Sequence, residues 1–182
     1  MCYKYTSPLA ESRKLKKKMK MLKACIALTA LLLLTWQGSA QTPASEYLAA
    51  HNQARGEVGV GPLQWSEALA KSASLTARLQ RDKHNCSFAD LSKSRYGANQ
   101  LWAGGLPVTP KAAVEAWVAE KKFYNYADNS CPPEHRCGVY TQVVWRKSTD
   151  LGCAQAACPK DHSTLTICFY NPPGNIVGEK PY

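Results

Sequence analysis

The chain has 182 residues, with 23 Lys or Arg, 13 Asp or Glu and a formal net charge of +10. The first forty residues carry eight of the basic and one of the acidic side chains, which leaves 15 and 12 for the other 142. A net charge of +3 over that length, with no basic patch interleaved with aromatics, excludes nucleic acid as a partner.

Residues 1–40 have the three parts of a secretory signal peptide. A long basic region precedes a thirteen-residue apolar run, 24–36, and the small residues 38–40 follow. Thirteen residues are fewer than the roughly twenty that span a bilayer, which disfavours the alternative of an uncleaved membrane anchor. The basic region is long enough for Met19 or Met21 to be an alternative start. We therefore expect cleavage of 1–40 and secretion of residues 41–182 as one domain.

Six cysteines remain after the predicted leader, which removes Cys2 and Cys25. An even set behind a signal peptide predicts three disulfides, whereas the absence of a CxxC pair argues against a cysteine metal site. Six cysteines allow fifteen pairings, and only a staple between Cys131 and Cys137, around Pro-Pro, is favoured by the sequence itself. The six residues are Cys86, Cys131, Cys137, Cys153, Cys158 and Cys168.

The triplet Asn85-Cys86-Ser87 matches the acceptor pattern for N-glycosylation. In a secreted protein this pattern predicts a glycan on Asn85, in a surface loop. Such triplets also arise by chance, so an unmodified loop is the alternative.

Three segments begin with a capping residue and continue with apolar residues at helical spacing, which predicts helices within 42–59, 65–83 and 108–126. Thr42 and Thr109 are each followed by proline, which is favoured at the first helical position, and Ser66 is the third cap. In the first helix, His51 shares a face with Tyr47 and is interpreted as a packed, hydrogen-bonded residue.

The second half of the chain contains the predicted strands, 97–103, 152–158 and 163–170, the last two joined by a turn at 159–162. Helices first and strands last favour an α+β fold. The stretch RCGVYTQVVWRKS, 136–148, fits either a strand or a helix by spacing. Its valines and threonine favour a strand by propensity.

The segments GVYTQVVWRKS and CFYNPPGN resemble the two signatures of the CAP superfamily (SCP domain). YLAAHNQARGEVGVGPLQW and GNIVGEKPY are similar to its plant pathogenesis-related class 1 branch, and CSFADLSKSRYGANQLWAGG to pistil-expressed members. The resemblance implies an α-β-α sandwich with a central antiparallel sheet, a helix at YTQVVW, and the disulfides Cys86–Cys153, Cys131–Cys137 and Cys158–Cys168. It also implies an extracellular or cell-wall location.

Many members of this superfamily carry two histidines and two glutamates in a cleft, a ligand set suited to zinc-type ions. At the matching positions this chain has Lys93, Ala98 and Val139, and only Glu120 keeps the expected residue type. The resemblance therefore implies no metal and no cofactor here. Glu120 is either a solvated helix carboxylate or an anchor of the cleft.

Enzymatic activity is not expected. No GxSxG motif occurs, and the disulfides leave no cysteine as a thiol nucleophile. His84 and His135 lie near the predicted stapled loops and are interpreted as lone exposed side chains.

The resemblance implies binding of a sterol or another apolar lipid through Phe123, Tyr124 and Tyr126, and with it contact with a membrane surface. The alternative is that these aromatics only cap the core. We expect a monomer that acts in plant defence or pistil protection.

A second hypothesis is release of a defence peptide, 172–182, although Phe169 departs from the processing pattern. The alternative to peptide release is that 172–174 form a turn and the tail docks on the sheet. Metal chemistry in the cleft is a remote third.

Overall fold

The computed structural model describes residues 18–21, 41–105 and 107–182. The chain divides into two units, 1–40 and 41–182. Within the first unit only 18–21 are described, as helix, so the apolar run and the cleavage site of the predicted signal peptide lie outside the described residues. Among the helices that are described, none combines the length and the apolarity needed to cross a bilayer.

Four α-helices, one 3-10 helix and four strands make up the described part of 41–182. In chain order they are α1 (Pro43–Gly56), β1 (Gln64–Trp65), α2 (Glu67–Lys83), β2 (Gly97–Ala103), α3 (Pro110–Val118), a 3-10 helix (Ala119–Phe123), α4 (Gly138–Val143), β3 (Asp150–Cys158) and β4 (Ser163–Asn171).

The first three helices begin where the sequence predicts. Thr42, Ser66 and Thr109 are the N-caps, and each side-chain oxygen accepts a hydrogen bond from a backbone N–H three residues on. The third helix is shorter than predicted, because the chain tightens into the 3-10 helix after Val118. The aromatics that follow thus lie outside α3.

The sheet has the strand order β1-β3-β4-β2. β4 pairs antiparallel with both β3 and β2, as predicted, whereas the two-residue β1 pairs parallel with β3 and is too short to be predicted from a pattern. β2 is consequently an edge strand.

Alternate residues of the sheet face two separate apolar clusters. Leu151 of β3 and Tyr170 of β4 lie in the cluster that contains residues of α1, α3 and α4. Ala156 and Ile167 lie in the other, against α2. At Gly152, a Cβ atom would overlap the α2 backbone, so the absent side chain permits this close approach. The layers form the predicted α-β-α sandwich.

The disulfides differ from the expected pairing. Cys131–Cys137 is confirmed, but the other two bonds are Cys86–Cys158 and Cys153–Cys168, so the predicted Cys86–Cys153 and Cys158–Cys168 are wrong.

The alternation of side chains along β3 explains this correction. Cys153 and Cys158 are five residues apart, so they point to opposite faces of the sheet. Cys153 lies directly across from Cys168, with Cα atoms 4.0 Å apart, in the cluster of α1 and α3. Cys158 lies on the α2 face, where Cys86 follows the end of that helix.

The stretch 136–148 contains helix α4, in agreement with the family resemblance and against its strand propensity. Five consecutive residues, 140–144, are buried, and Trp145 after them is buried too. A half-buried strand exposes every second residue, and residues 140–145 show no such alternation. Tertiary burial therefore outweighs the preference of the valines.

A buried guanidinium fixes the end of α4. Arg55, in the last turn of α1, is about 1% exposed and donates to four backbone carbonyls. Its Nε is 2.7 Å from the Gly61 oxygen, and its Nη1 and Nη2 atoms reach the Val143, Trp145 and Ser148 oxygens at 2.8–3.2 Å. Burial lowers its pKa to about 10, so the side chain remains a cation at neutral pH.

We expect Arg55→Met to lower the free energy of unfolding by about 3 kcal/mol or more, because it leaves these buried carbonyls without donors. Urea unfolding measures the change. Arg78→Met, at an exposed arginine of α2, is the control and is expected to shift stability by less than about 0.5 kcal/mol. Equal losses in the two variants would contradict the role given to Arg55.

Candidate functional site

Two of the four cleft positions meet at the start of α4. Glu120, in the 3-10 helix, is half-buried. Burial raises its pKa, and the backbone N–H groups of Val139 and Tyr140 partly oppose that rise. Its Oε2 atom is buried and has no hydrogen-bond partner among the described residues. Glu120 is thus a carboxylate turned inward at the cleft, not a fully solvated one.

The other two positions lie elsewhere. Ala98 packs with the cluster on the α2 face of the sheet, and Lys93 lies in an exposed turn. Neither side chain, nor that of Val139, is a ligand type for zinc. The described residues contain no group of three or more His, Cys, Asp or Glu side chains placed to share an ion. The family's cleft metal does not fit these residues.

His51 lies in a continuous buried network beside the cleft. Its Nδ1 atom is 2.7 Å from the Tyr47 carbonyl oxygen, which can only accept, so Nδ1 carries the proton. Nε2 therefore accepts from the Tyr170 hydroxyl, 2.8 Å away. Asn99 donates to that hydroxyl at 3.1 Å and to the Val139 carbonyl at 2.9 Å.

The side chains of this network join α1, β4 and β2, and they reach the start of α4 at the Val139 carbonyl. Burial lowers the pKa of His51 to about 4, so the ring is neutral at physiological pH. The sequence predicted a packed His51 but not its partners, Tyr170 and Asn99. Both lie in the quoted motifs, CFYN and GANQ, yet spacing alone gives no sign that the motifs meet.

The three aromatics predicted to bind lipid lie at the end of the 3-10 helix and in the loop after it, 124–130, which we call the aromatic loop. Each of them contacts another ring. Phe123 stacks on His135 with centroids 3.5 Å apart. Tyr126 stacks on Tyr182 at 4.7 Å and is 42% exposed. Tyr124 packs against the first cluster. His135 is therefore not a lone side chain.

The chain after β4 docks on α4. The Gly174 N–H donates to the Gln142 side chain at 3.0 Å, and the Asn175 side chain donates to the Gly138 carbonyl at 2.8 Å. Thr141 donates to the Asn175 oxygen at 2.7 Å. The tail therefore lies on α4 and not on the sheet.

The end of the tail packs on the aromatic loop. Asn129 donates to the Glu179 carbonyl at 3.0 Å, and the Tyr126 hydroxyl donates to the main-chain oxygen of Tyr182 at 2.6 Å. Glu179 also forms a 2.7 Å ion pair with Lys147. A peptide cut at residue 171 would remain held by these contacts.

A surface cavity of about 300 Å³ is lined by residues of the aromatic loop and of the tail. Phe123 and Tyr126 are absent from its lining, whereas Tyr124 is part of it. Val177, at its edge, is 99% exposed. The apolar lining side chains, with the disulfide cysteines included, are those of Tyr124, Cys131, Cys137, Trp145, Ile176, Val177 and Pro181.

The family model described as the cysteine-rich secretory protein family, CAP, matches residues 48–170. The chain belongs to the CAP family. This agrees with the sandwich and with the position of α4 described above.

Two plant proteins are similar to this chain over most of its length. The STS14 protein of Solanum tuberosum is 66% identical over 139 residues, which are 76% of this chain and 65% of that protein. The match thus spans just under two thirds of the length of STS14. Pathogenesis-related protein 1 of Arabidopsis thaliana is 46% identical over 157 residues, with 86% and 92% of the two chains covered. The resemblance to plant pathogenesis-related class 1 proteins is confirmed.

Solved structures share the fold. The venom allergen-like protein 4 of Schistosoma mansoni has a TM-score of 0.59 and 24% identity, and the alignment covers 78% of this chain and 94% of that one. NaASP2, solved with Zn²⁺, has a TM-score of 0.60 and 21% identity, with 80% and 88% covered. At these identities the likeness concerns the fold alone.

We expect stability to depend on pH through His51. Its pKa is about 4 in the folded protein and 6.5 otherwise, so the unfolded chain binds more protons between these values. The free energy of unfolding therefore keeps its full value above pH 6.5. It falls by up to about 3 kcal/mol as the pH drops from 6.5 toward 4.

Urea titrations between pH 7.5 and 4.5 measure this dependence. His51→Gln is expected to flatten the pH profile, whereas the control His84→Gln, at an exposed histidine, leaves it unchanged. Identical pH profiles for wild type and His51→Gln would show that His51 does not cause the pH dependence of stability.

We expect Tyr182→Ala to cost about 1–2 kcal/mol, because it removes the stacking with Tyr126 and the contact with Tyr124. Limited proteolysis should then cut the loop 124–130 faster. Val177→Ala, at a fully exposed side chain of the same tail, is the control. Unchanged cleavage in Tyr182→Ala would mean that the tail does not order the loop.

Proposed function

We propose that this protein is secreted, acts in plant defence or pistil protection, and does so by binding a sterol or another apolar lipid rather than by catalysis. Family membership and the pathogenesis-related relatives support the general role. The observation that supports lipid binding is the cavity between the aromatic loop and the tail.

The size of the cavity and the apolar part of its lining suit part of a rigid apolar ligand. Polar residues also line it, namely Asn129, Ser130, Thr141, Asn175 and Glu179. Its volume of about 300 Å³ is at the lower end of small-molecule sites. The half-buried Tyr124 supplies aromatic surface, and the Cys131–Cys137 disulfide holds one wall. Because Ile176 and Val177 are exposed beside it, a ligand larger than the cavity would extend over apolar side chains.

The geometry refines the predicted binding residues. Of the three aromatics, Tyr124 lines the cavity, whereas Phe123 is covered by His135 and Tyr126 by Tyr182. We assign direct ligand contact to Tyr124 and support of the loop to the other two. The exposed apolar tail residues would also provide contact with a membrane surface, and the protein would act as a monomer.

A non-enzymatic role fits the site residues. The cleft offers one carboxylate, Glu120, and His51 is occupied in its network and kept neutral. No nucleophile paired with a base lies beside the cavity lining. Release of the peptide 172–182 remains a hypothesis, and the docking of the tail opposes it because cleavage alone would not free the fragment.

Titration of the secreted protein with a fluorescent sterol tests the proposal. Tyr124→Ala with Phe123→Ala is expected to weaken binding about tenfold or more, provided that circular dichroism shows a folded protein. Val177→Asp places a charge on a fully exposed side chain, so it should weaken binding without a loss of stability.

Leu75→Asp is the matched control, since Leu75 is an exposed apolar residue of α2 outside the cavity lining. It should bind sterol like the wild type. Equal affinities for wild type, Val177→Asp and the folded double variant would overturn the proposal.

A further inference from the structure

A second apolar surface lies next to the glycosylation triplet. Phe88 is 58% exposed and Trp102, on the edge strand β2, is 46% exposed. The two side chains line a shallow cavity of about 370 Å³ together with residues 85–87. Exposed aromatic surface of this kind usually marks a contact with another molecule. We name Asn85, Phe88 and Trp102 the sequon patch.

The turn that carries Asn85 is held in place. Asn85 and Cys86 have φ angles of 50° and 58°, in the left-handed region, so the chain reverses after α2. Cys86 is buried in its bond to Cys158, and its N–H donates to the Gln80 carbonyl at 2.9 Å. Asn85 itself is exposed.

The aromatic half of the patch is held as well. The Gln100 side chain, on the same face of β2 as Trp102, clamps the Ala89 backbone. It accepts from the Ala89 N–H at 2.8 Å and donates to the Ala89 carbonyl at 3.0 Å. Phe88, next to Ala89, therefore stays close to Trp102. No charged residue lines the cavity, which gives an ion no partner.

We propose that Asn85 carries an N-linked glycan whose first N-acetylglucosamine packs on Phe88 and Trp102. The proposal rests on secretion, as assigned above. In the transfer, the Asn85 Nδ2 attacks C1 of a lipid diphosphate-linked oligosaccharide. The C1–Nδ2 bond forms, the bond from C1 to the phosphate oxygen breaks, the lipid diphosphate leaves and Nδ2 loses a proton.

The chemistry of the patch fits this occupant better than a free ligand. The C–H faces of a sugar ring are apolar and stack on aromatic rings, whereas its hydroxyls remain in water. The attachment atom belongs to a residue of the cavity lining, so the first sugar reaches the rings without a separate binding step. The glycan would cover apolar surface that is otherwise exposed.

The test begins with the full chain secreted from a plant host and glycopeptide mass spectrometry. We expect most Asn85 side chains to be glycosylated. Secreted protein with unmodified Asn85 would overturn this inference and leave the proposed function standing; failure to be secreted would instead count against the proposed function.

Thermal unfolding then tests the packing. Ser87→Ala destroys the acceptor triplet but keeps the Asn85 side chain, so the variant carries no glycan and its Tm should be lower by about 2–4 °C. Enzymatic trimming to a single N-acetylglucosamine should retain the wild-type Tm. In a Trp102→Ala background, the difference between proteins with and without Ser87→Ala should disappear.

A dye that fluoresces on apolar surfaces gives an independent readout. Ser87→Ala should bind it several-fold more than the glycosylated wild type. A Tm difference that persists in Trp102→Ala would overturn the packing of the sugar on the rings. A dimer of the glycosylated protein that depends on Trp102 would do the same, since a second copy would then cover the patch.

Discussion

The buried guanidinium of Arg55 is the interaction on which the rest of the site depends. It joins the last turn of α1 to the carbonyls at the end of α4 and in the turn that follows. Helix α4 has only six residues, too few to be stable alone. Its side chains nevertheless hold the tail and border the cleft, so the placement of both follows from a cation on another helix. No carboxylate pairs with Arg55 in the described residues; carbonyl dipoles alone compensate its charge.

Much of the fold follows from local sequence, because caps and alternation are local signals. The three capped helices and strand β2 are found where the pattern predicts them. Two of the three predicted disulfides are wrong, although the predicted β3–β4 hairpin is sufficient to derive the observed pairing. A four-residue turn after Cys158 sets Cys153 opposite Cys168, and the odd spacing of Cys153 and Cys158 sends the latter to the α2 face. The disulfide pairing implied by the family resemblance does not take this odd spacing into account.

The site was less predictable, since it depends on contacts between distant segments. Sequence comparison identified which cleft residues had changed, but not that Glu120 and Val139 meet while Ala98 lies on the other face of the sheet. The sequence predicts one role for Phe123, Tyr124 and Tyr126. In the structure only Tyr124 lines the cavity, and the other two stack on His135 and Tyr182. The buried network of His51, Tyr170 and Asn99 uses none of the altered cleft positions as side-chain ligands. The fold can therefore persist after metal-binding residues are replaced.

The docked tail has a practical consequence for protein production. The main-chain oxygen of Tyr182 accepts a hydrogen bond from Tyr126, and the two rings stack. An affinity tag fused after Tyr182 would extend the chain from the point where it contacts the aromatic loop. Such a tag would compete with these contacts and alter the wall of the cavity during a ligand screen. A removable tag placed between the predicted leader and Gln41 leaves this end of the molecule intact.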